Sequence, residues 1–325
     1  MLAVHSSGKT LKVIRQRKAG PAGSAFLFTF IIFAAIIHYM MNLETNDNVE
    51  EEQKSGLPLR LSAPAPASSD ARRGGGQDEA AGPWGFWPTI GFSAIIGVVF
   101  FLIQVVIIAA ITIAALFRDP KLDINQFADS LLTNGLLQII VTCAVAPFTI
   151  GLTVLFAKIR KGITIKQYLG FHNPGWKEVL KWCLVVVLFV GCFDILTFFT
   201  NRPVVPEFMV SMYTTAYFTP LLWFAFVILA PLTEEIFFRG FLFEGIRNSK
   251  LGPAGAIVIT SLVWSAMHTQ YDAYGMGAVF LGGLLLGFAR TKSNSIYPPI
   301  VMHAFQNVIA TIEVVIYLKI VQNGG

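Results

Sequence analysis

The chain has 325 residues, of which 54% are hydrophobic and 13% charged, with a net charge of +5 and a mean hydropathy of +0.64. Those values describe a polytopic membrane protein and exclude an ordinary soluble enzyme. No basic stretch interleaves with aromatics, so the positive charge marks membrane topology rather than nucleic-acid binding.

Residues 1–41 are a basic N-terminus with a short apolar segment. The first 24 residues carry five Lys or Arg and no acid, and the run Ala25 to Met41 is broken only by Thr29 and His38. It reads as a short anchor, an uncleaved signal-like segment or a membrane-surface helix. Residues 42–89 read as a disordered linker, with Glu50, Glu51 and Glu52 together and the tracts APAPASS and ARRGGGQ. Trp84 and Trp87 are expected as interfacial aromatics.

Residues 90–320 read as one all-α domain, a transmembrane bundle of seven core spans. The expected spans are Ile90 to Phe117, Leu131 to Ala157, Val179 to Phe199, Tyr217 to Phe243, Pro253 to Gln270, Gly275 to Ala289 and Tyr297 to Leu318. In the sixth, Gly283 and Gly287 form a small-xxx-small step that lets a neighbouring helix approach closely. The loops 158–181, 244–252 and 290–296 hold ten Lys or Arg, against three in 118–130 and 201–216, which makes the first set cytoplasmic. Cys143, Cys183 and Cys192 lie in apolar runs without ligand-like spacing and read as packing residues.

The fourth span carries the anomaly. Tyr217 to Phe243 is apolar except for Glu234, Glu235 and Arg239, and a charge at membrane depth costs roughly 2.5 to 3.5 kcal/mol. Glu235 and Arg239 are four apart, share a helix face and have the favoured acid-to-base order. Glu234 lies about 100° round the helix, free for other work. A buried ion pair with a stray interfacial carboxylate is the structural alternative.

Two more spans bring polar groups to depth. His268 ends VITSLVWSAMH, and His303 and Asn307 share one face of the last span. A carboxylate, two imidazoles and an amide are what general-base hydrolysis with an oxyanion hole requires. HExxH, GxSxG, Walker and dinucleotide motifs are absent, although two His and a Glu are also a conceivable zinc set. A different class of reading is a non-catalytic membrane protein: an immunity factor, a peptide-binding scaffold or a proton-coupled transporter. Asp194 and Glu313, single acids in the third and seventh spans, are expected to face polar neighbours or an interface.

Glu234-Glu235-x-x-x-Arg239, Trp264-x-x-x-His268 and His303-x-x-x-Asn307 together resemble the three ordered motifs of the CAAX protease and bacteriocin-processing family, the type II CAAX prenyl endopeptidases or Abi proteins. The resemblance covers about residues 200–320 and implies an intramembrane endopeptidase with neither metal, cofactor nor covalent nucleophile. It implies that Glu234 is the general base, that His268 helps hold the water, and that His303 and Asn307 bind the oxyanion. Arg239 would pair with Glu235 and fix the helix; Trp264 stands where the family usually has Phe. The expected substrate is a hydrophobic or lipidated peptide. The loop charges put the active site towards the cytoplasm, and the Ala-, Gly- and Arg-rich linker points to a bacterial inner-membrane protein, where prenylated CAAX proteins are not expected.

Overall fold

In the computed structural model of the chain, the structure describes residues 82–323. The N-terminal apolar segment and residues 42–81 of the expected linker lie outside the described residues. Residues 82–194 with 203–323 form one compact unit; residues 195–202, the end of one helix and the turn after it, are assigned to a second.

Among the described residues there are helices and no strands. In order they are α1 (Phe86–Arg118), α2 (Ile124–Leu132), α3 (Gly135–Lys158), α4 (Ile165–Leu169), α5 (Trp176–Phe199), α6 (Glu207–Thr214), α7 (Thr219–Arg247), α8 (Gly252–Ala266), α9 (Ala273–Ser293) and α10 (Tyr297–Asn323). Six of them, α1, α3, α5, α7, α9 and α10, are long and apolar enough to cross a membrane. The all-α polytopic bundle stands, with two corrections to its expected elements.

The first concerns the fifth span. α8 stops at Ala266 after 15 residues, a rise of about 22 Å against a hydrocarbon core of about 30 Å. The apolar run gives way to His268, Thr269, Gln270 and Asp272, and Asp272 caps α9 by accepting the Gly275 N–H at 2.9 Å. The second concerns where the linker ends. Trp84 donates its indole N–H to the Phe156 carbonyl at 2.8 Å, and α1 begins at Phe86, so order starts before residue 90.

α7 is the irregular element. Ala230 N–H bonds the Ala225 carbonyl and Phe243 N–H bonds the Phe238 carbonyl, both five residues back. These wide turns, Phe224–Leu229 and Ile236–Leu242, bracket the segment Ala230–Glu235 that carries the acids. Pro231 accounts for the first: it has no N–H to donate, and its ring crowds the preceding turn.

α8 and α9 pack closely, as the small-xxx-small step requires. A Cβ on Gly283 would stand 2.9 Å from the Cβ of Ser261, and one on Gly287 would stand 3.3 Å from Ile257. Either residue enlarged would push the two helices apart.

Candidate active site

α7 and α8 are antiparallel neighbours joined by residues 248–251. Glu234 lies 13 residues before the end of α7, about 20 Å along it, and Trp264 lies 12 residues into α8, about 18 Å along it. The hairpin therefore brings Glu234 level with Trp264. The indole N–H of Trp264 donates to Glu234 Oε2 at 2.5 Å.

Glu235 and Arg239 are fully buried and paired through Oε1 and Nη1 at 2.9 Å, as the four-residue spacing requires. A second Arg239 donor, Nη2, reaches the Gly283 carbonyl at 3.2 Å. Glu234 stays out of this pair, as the helical wheel requires.

His303 Nδ1 lies 2.9 Å from the same Glu235 Oε1. A carboxylate only accepts, so Nδ1 carries the proton. A neutral His303 then presents Nε2 as an acceptor, and the imidazolium presents it as a donor. His268 follows the end of α8, and its Nδ1 lies 2.8 Å from the Trp264 carbonyl. That oxygen also only accepts, so neutral His268 keeps a lone pair on Nε2.

Asn307 donates from Nδ2 to the Phe226 carbonyl at 2.7 Å. Phe226 is the residue whose five-back donor would be Pro231, which has none, so the amide replaces a missing backbone bond. One amide hydrogen of Asn307 remains for another acceptor. Glu234, Trp264, His268, His303 and Asn307 all line one cavity of about 650 Å³. Side chains of α1, α3 and α6, among them Ile96, Val145 and Met212, form the rest of its wall.

The structure thus brings all seven sequence-singled residues together. Among the described residues, no three His, Cys, Asp or Glu side chains form a metal-holding group. Asp194 in α5 and Glu313 in α10 neighbour each other instead.

Sequence reading missed Arg290. Counted as a loop charge, it is 1% exposed, with Nε on the Arg239 carbonyl at 3.0 Å and Nη2 on Glu244 Oε1 at 2.6 Å. It ties α9 to the wide turn after Glu235. The available signal was Glu244, an acid just beyond an apolar span and in need of a cation.

Residues 215–309 match the family described as type II CAAX prenyl endopeptidase Rce1-like. An uncharacterized 24.3 kDa protein of Escherichia coli is 38% identical over 79 residues, 23% of this chain and 36% of that protein. An uncharacterized protein of Mycoplasma capricolum is 33% identical over 98 residues, 29% of this chain and 28% of the relative. UPF0177 protein YxdF of Lactococcus lactis is 28% identical over 80 residues, 25% of this chain and 42% of the relative. The chain therefore spans less than half the length of these relatives, and no solved structure matches it. The matched segment contains the seven sequence-singled residues, the whole of α7 and α9 and the first 13 residues of α10, three apolar helices long enough to cross a bilayer. The chain is an integral membrane protein whose residues 215–309 are similar to the type II CAAX prenyl endopeptidase Rce1-like family.

Proposed function

We propose that the protein is an intramembrane endopeptidase that hydrolyses hydrophobic or lipidated membrane-associated peptides with Glu234 as general base. The observation that carries this reading is the arrangement around Glu234: one carboxylate oxygen is held by Trp264, while the residue faces a 650 Å³ cavity shared with His268, His303 and Asn307. In the proposed reaction, Glu234 Oε1 takes a proton from a water that also donates to His268 Nε2. The water oxygen attacks the peptide carbonyl carbon. The resulting oxyanion accepts hydrogen bonds from protonated His303 through Nε2–H and from the remaining Asn307 N–H. Glu234 then returns the proton to the leaving nitrogen as the C–N bond breaks.

No metal, cofactor or covalent nucleophile takes part in this scheme, and no nucleic acid. The partners are the bilayer and the peptide. The basic loops support an orientation with the site opening towards the cytoplasm, and the composition of the linker supports a bacterial inner membrane. The test is cleavage of a fluorogenic membrane-peptide panel by detergent-purified wild type and Glu234→Gln, with and without a strong zinc chelator. Chelator-insensitive cleavage that disappears in the variant is expected. Cleavage that survives in Glu234→Gln overturns the mechanism, and cleavage lost to chelator overturns its metal independence.

A further inference from the structure

We infer that Trp264 is the positioning residue of the general base, acting through its indole N–H; this rests on the reading of Glu234 given above. An indole N–H can only donate, and its acceptor here is Glu234 Oε2 at 2.5 Å, a bond between residues 30 apart in sequence. The ring has little freedom to point elsewhere. It is 4% exposed, and the Arg239 guanidinium lies 4.7 Å from its centroid. The rings of His268 and His303 meet it edge-on at 5.0 and 5.2 Å. Three site groups therefore wedge the indole, and the wedged indole fixes the carboxylate.

The chemical consequence is a division of labour within Glu234. Oε2 is committed to Trp264, so Oε1 is the oxygen left for the water. A glutamate has three side-chain torsions and, unheld in a cavity of this size, would sample orientations in which neither oxygen meets the water beside His268. The same indole touches both histidines, so one ring sets the spacing of base, water-holding group and oxyanion donor. Phenylalanine would keep most of the contacts and lose the donor.

Separating donor from shape is the task of the experiment. Trp264 is replaced by 3-benzothienylalanine, in which sulfur substitutes for the N–H within the same bicyclic outline, and in parallel by Phe. With the peptide cleaved by wild type, kcat is expected to fall by about 10²-fold in both variants, the scale of a misplaced reacting group, at unchanged KM and, for the isosteric benzothienyl protein, an unchanged thermal midpoint. Retained kcat in the benzothienyl protein overturns the inference, and a loss of kcat accompanied by higher KM and a lower midpoint assigns Trp264 a packing role instead. A second readout needs no activity: in ¹⁵N-Trp-labelled protein, the Trp264 indole proton should move upfield on Glu234→Leu. An unmoved resonance rejects the hydrogen bond. Cleavage that survives in Glu234→Gln rejects the glutamate mechanism itself, and the resonance then still decides whether Trp264 holds the carboxylate.

Discussion

Glu235 Oε1 serves two partners at the same distance, Arg239 Nη1 and His303 Nδ1, each 2.9 Å away. The acid beside the proposed base is therefore more than a counter-ion within α7. It reaches across to α10 and fixes which nitrogen of His303 carries the proton. Glu235→Gln leaves the fully buried Arg239 uncompensated and should destabilise the protein by about 3–5 kcal/mol. Replacing both members, Glu235→Leu with Arg239→Met, should recover much of that stability, because an apolar pair of similar volume tolerates burial. Cleavage should stay lost in the double variant, since His303 still lacks its partner. Thermal unfolding and single-turnover cleavage decide it, and an active double variant would reduce Glu235 to charge compensation.

Asn307 has two tasks in the same way. Its bond to the Phe226 carbonyl compensates for the N–H that Pro231 lacks, and its other hydrogen is the proposed oxyanion donor. Asn307→Leu should lower stability by about 1 kcal/mol, the scale of one lost hydrogen bond to a part-buried carbonyl, and lower kcat by about 10²- to 10³-fold. Adding Pro231→Ala supplies a backbone donor and should restore the thermal midpoint without restoring kcat. Recovery of kcat together with the midpoint would show that the amide acts on the helix alone.

Much of this site was legible in the sequence because charge in an apolar run is conspicuous and helical spacing assigns faces. Glu235 with Arg239 and Glu234 apart from them follow from the wheel. What the wheel could not give was the partners that the carbonyls of α7's wide turns find on α10 and α9: Asn307 for Phe226 and Arg290 for Arg239. Arg290 was misread as a loop charge because its burial comes from Glu244, 46 residues earlier. The end of α8 was read four residues late, since hydropathy averaged over a window does not register that His268, Thr269 and Gln270 close a helix. Trp84 was read as an interfacial aromatic ahead of the first span, and its indole bond to the Phe156 carbonyl of α3 is a contact that local sequence does not signal.

The start of α1 sits against the end of α7 with no spare room: a Cβ on Gly245 would overlap Thr89. Because α1 also supplies Ile90, Ile96 and Phe100 to the cavity wall, packing at this contact sets the cavity's width. Gly245→Ala should cost about 1–3 kcal/mol as overpacking and raise KM by displacing α1. Thr89→Gly in the same chain removes the opposing atoms and should bring KM back, although it forfeits the Thr89 hydroxyl bond to the Gly85 carbonyl at 2.9 Å. Unchanged stability and KM in the single variant would mean that α1 does not dock this closely.

Tyr168, in the short helix α4 between α3 and α5, is wholly buried and stacked on Phe241 with ring centroids 5.5 Å apart. Burial pushes its hydroxyl from the ordinary 10.0 up to about 12. The unfolded chain releases this proton first, so the group's contribution is complete below pH 10 and is lost as pH rises towards 12, to a total of roughly 2–3 kcal/mol. Tyr168→Phe keeps the ring and removes the proton, so its stability should fall less steeply between pH 10 and 12 than that of wild type. Thermal unfolding at stepped pH measures both slopes; parallel curves would mean that the phenol is already hydrated in the folded protein, and that α4 does not seal this end of the bundle.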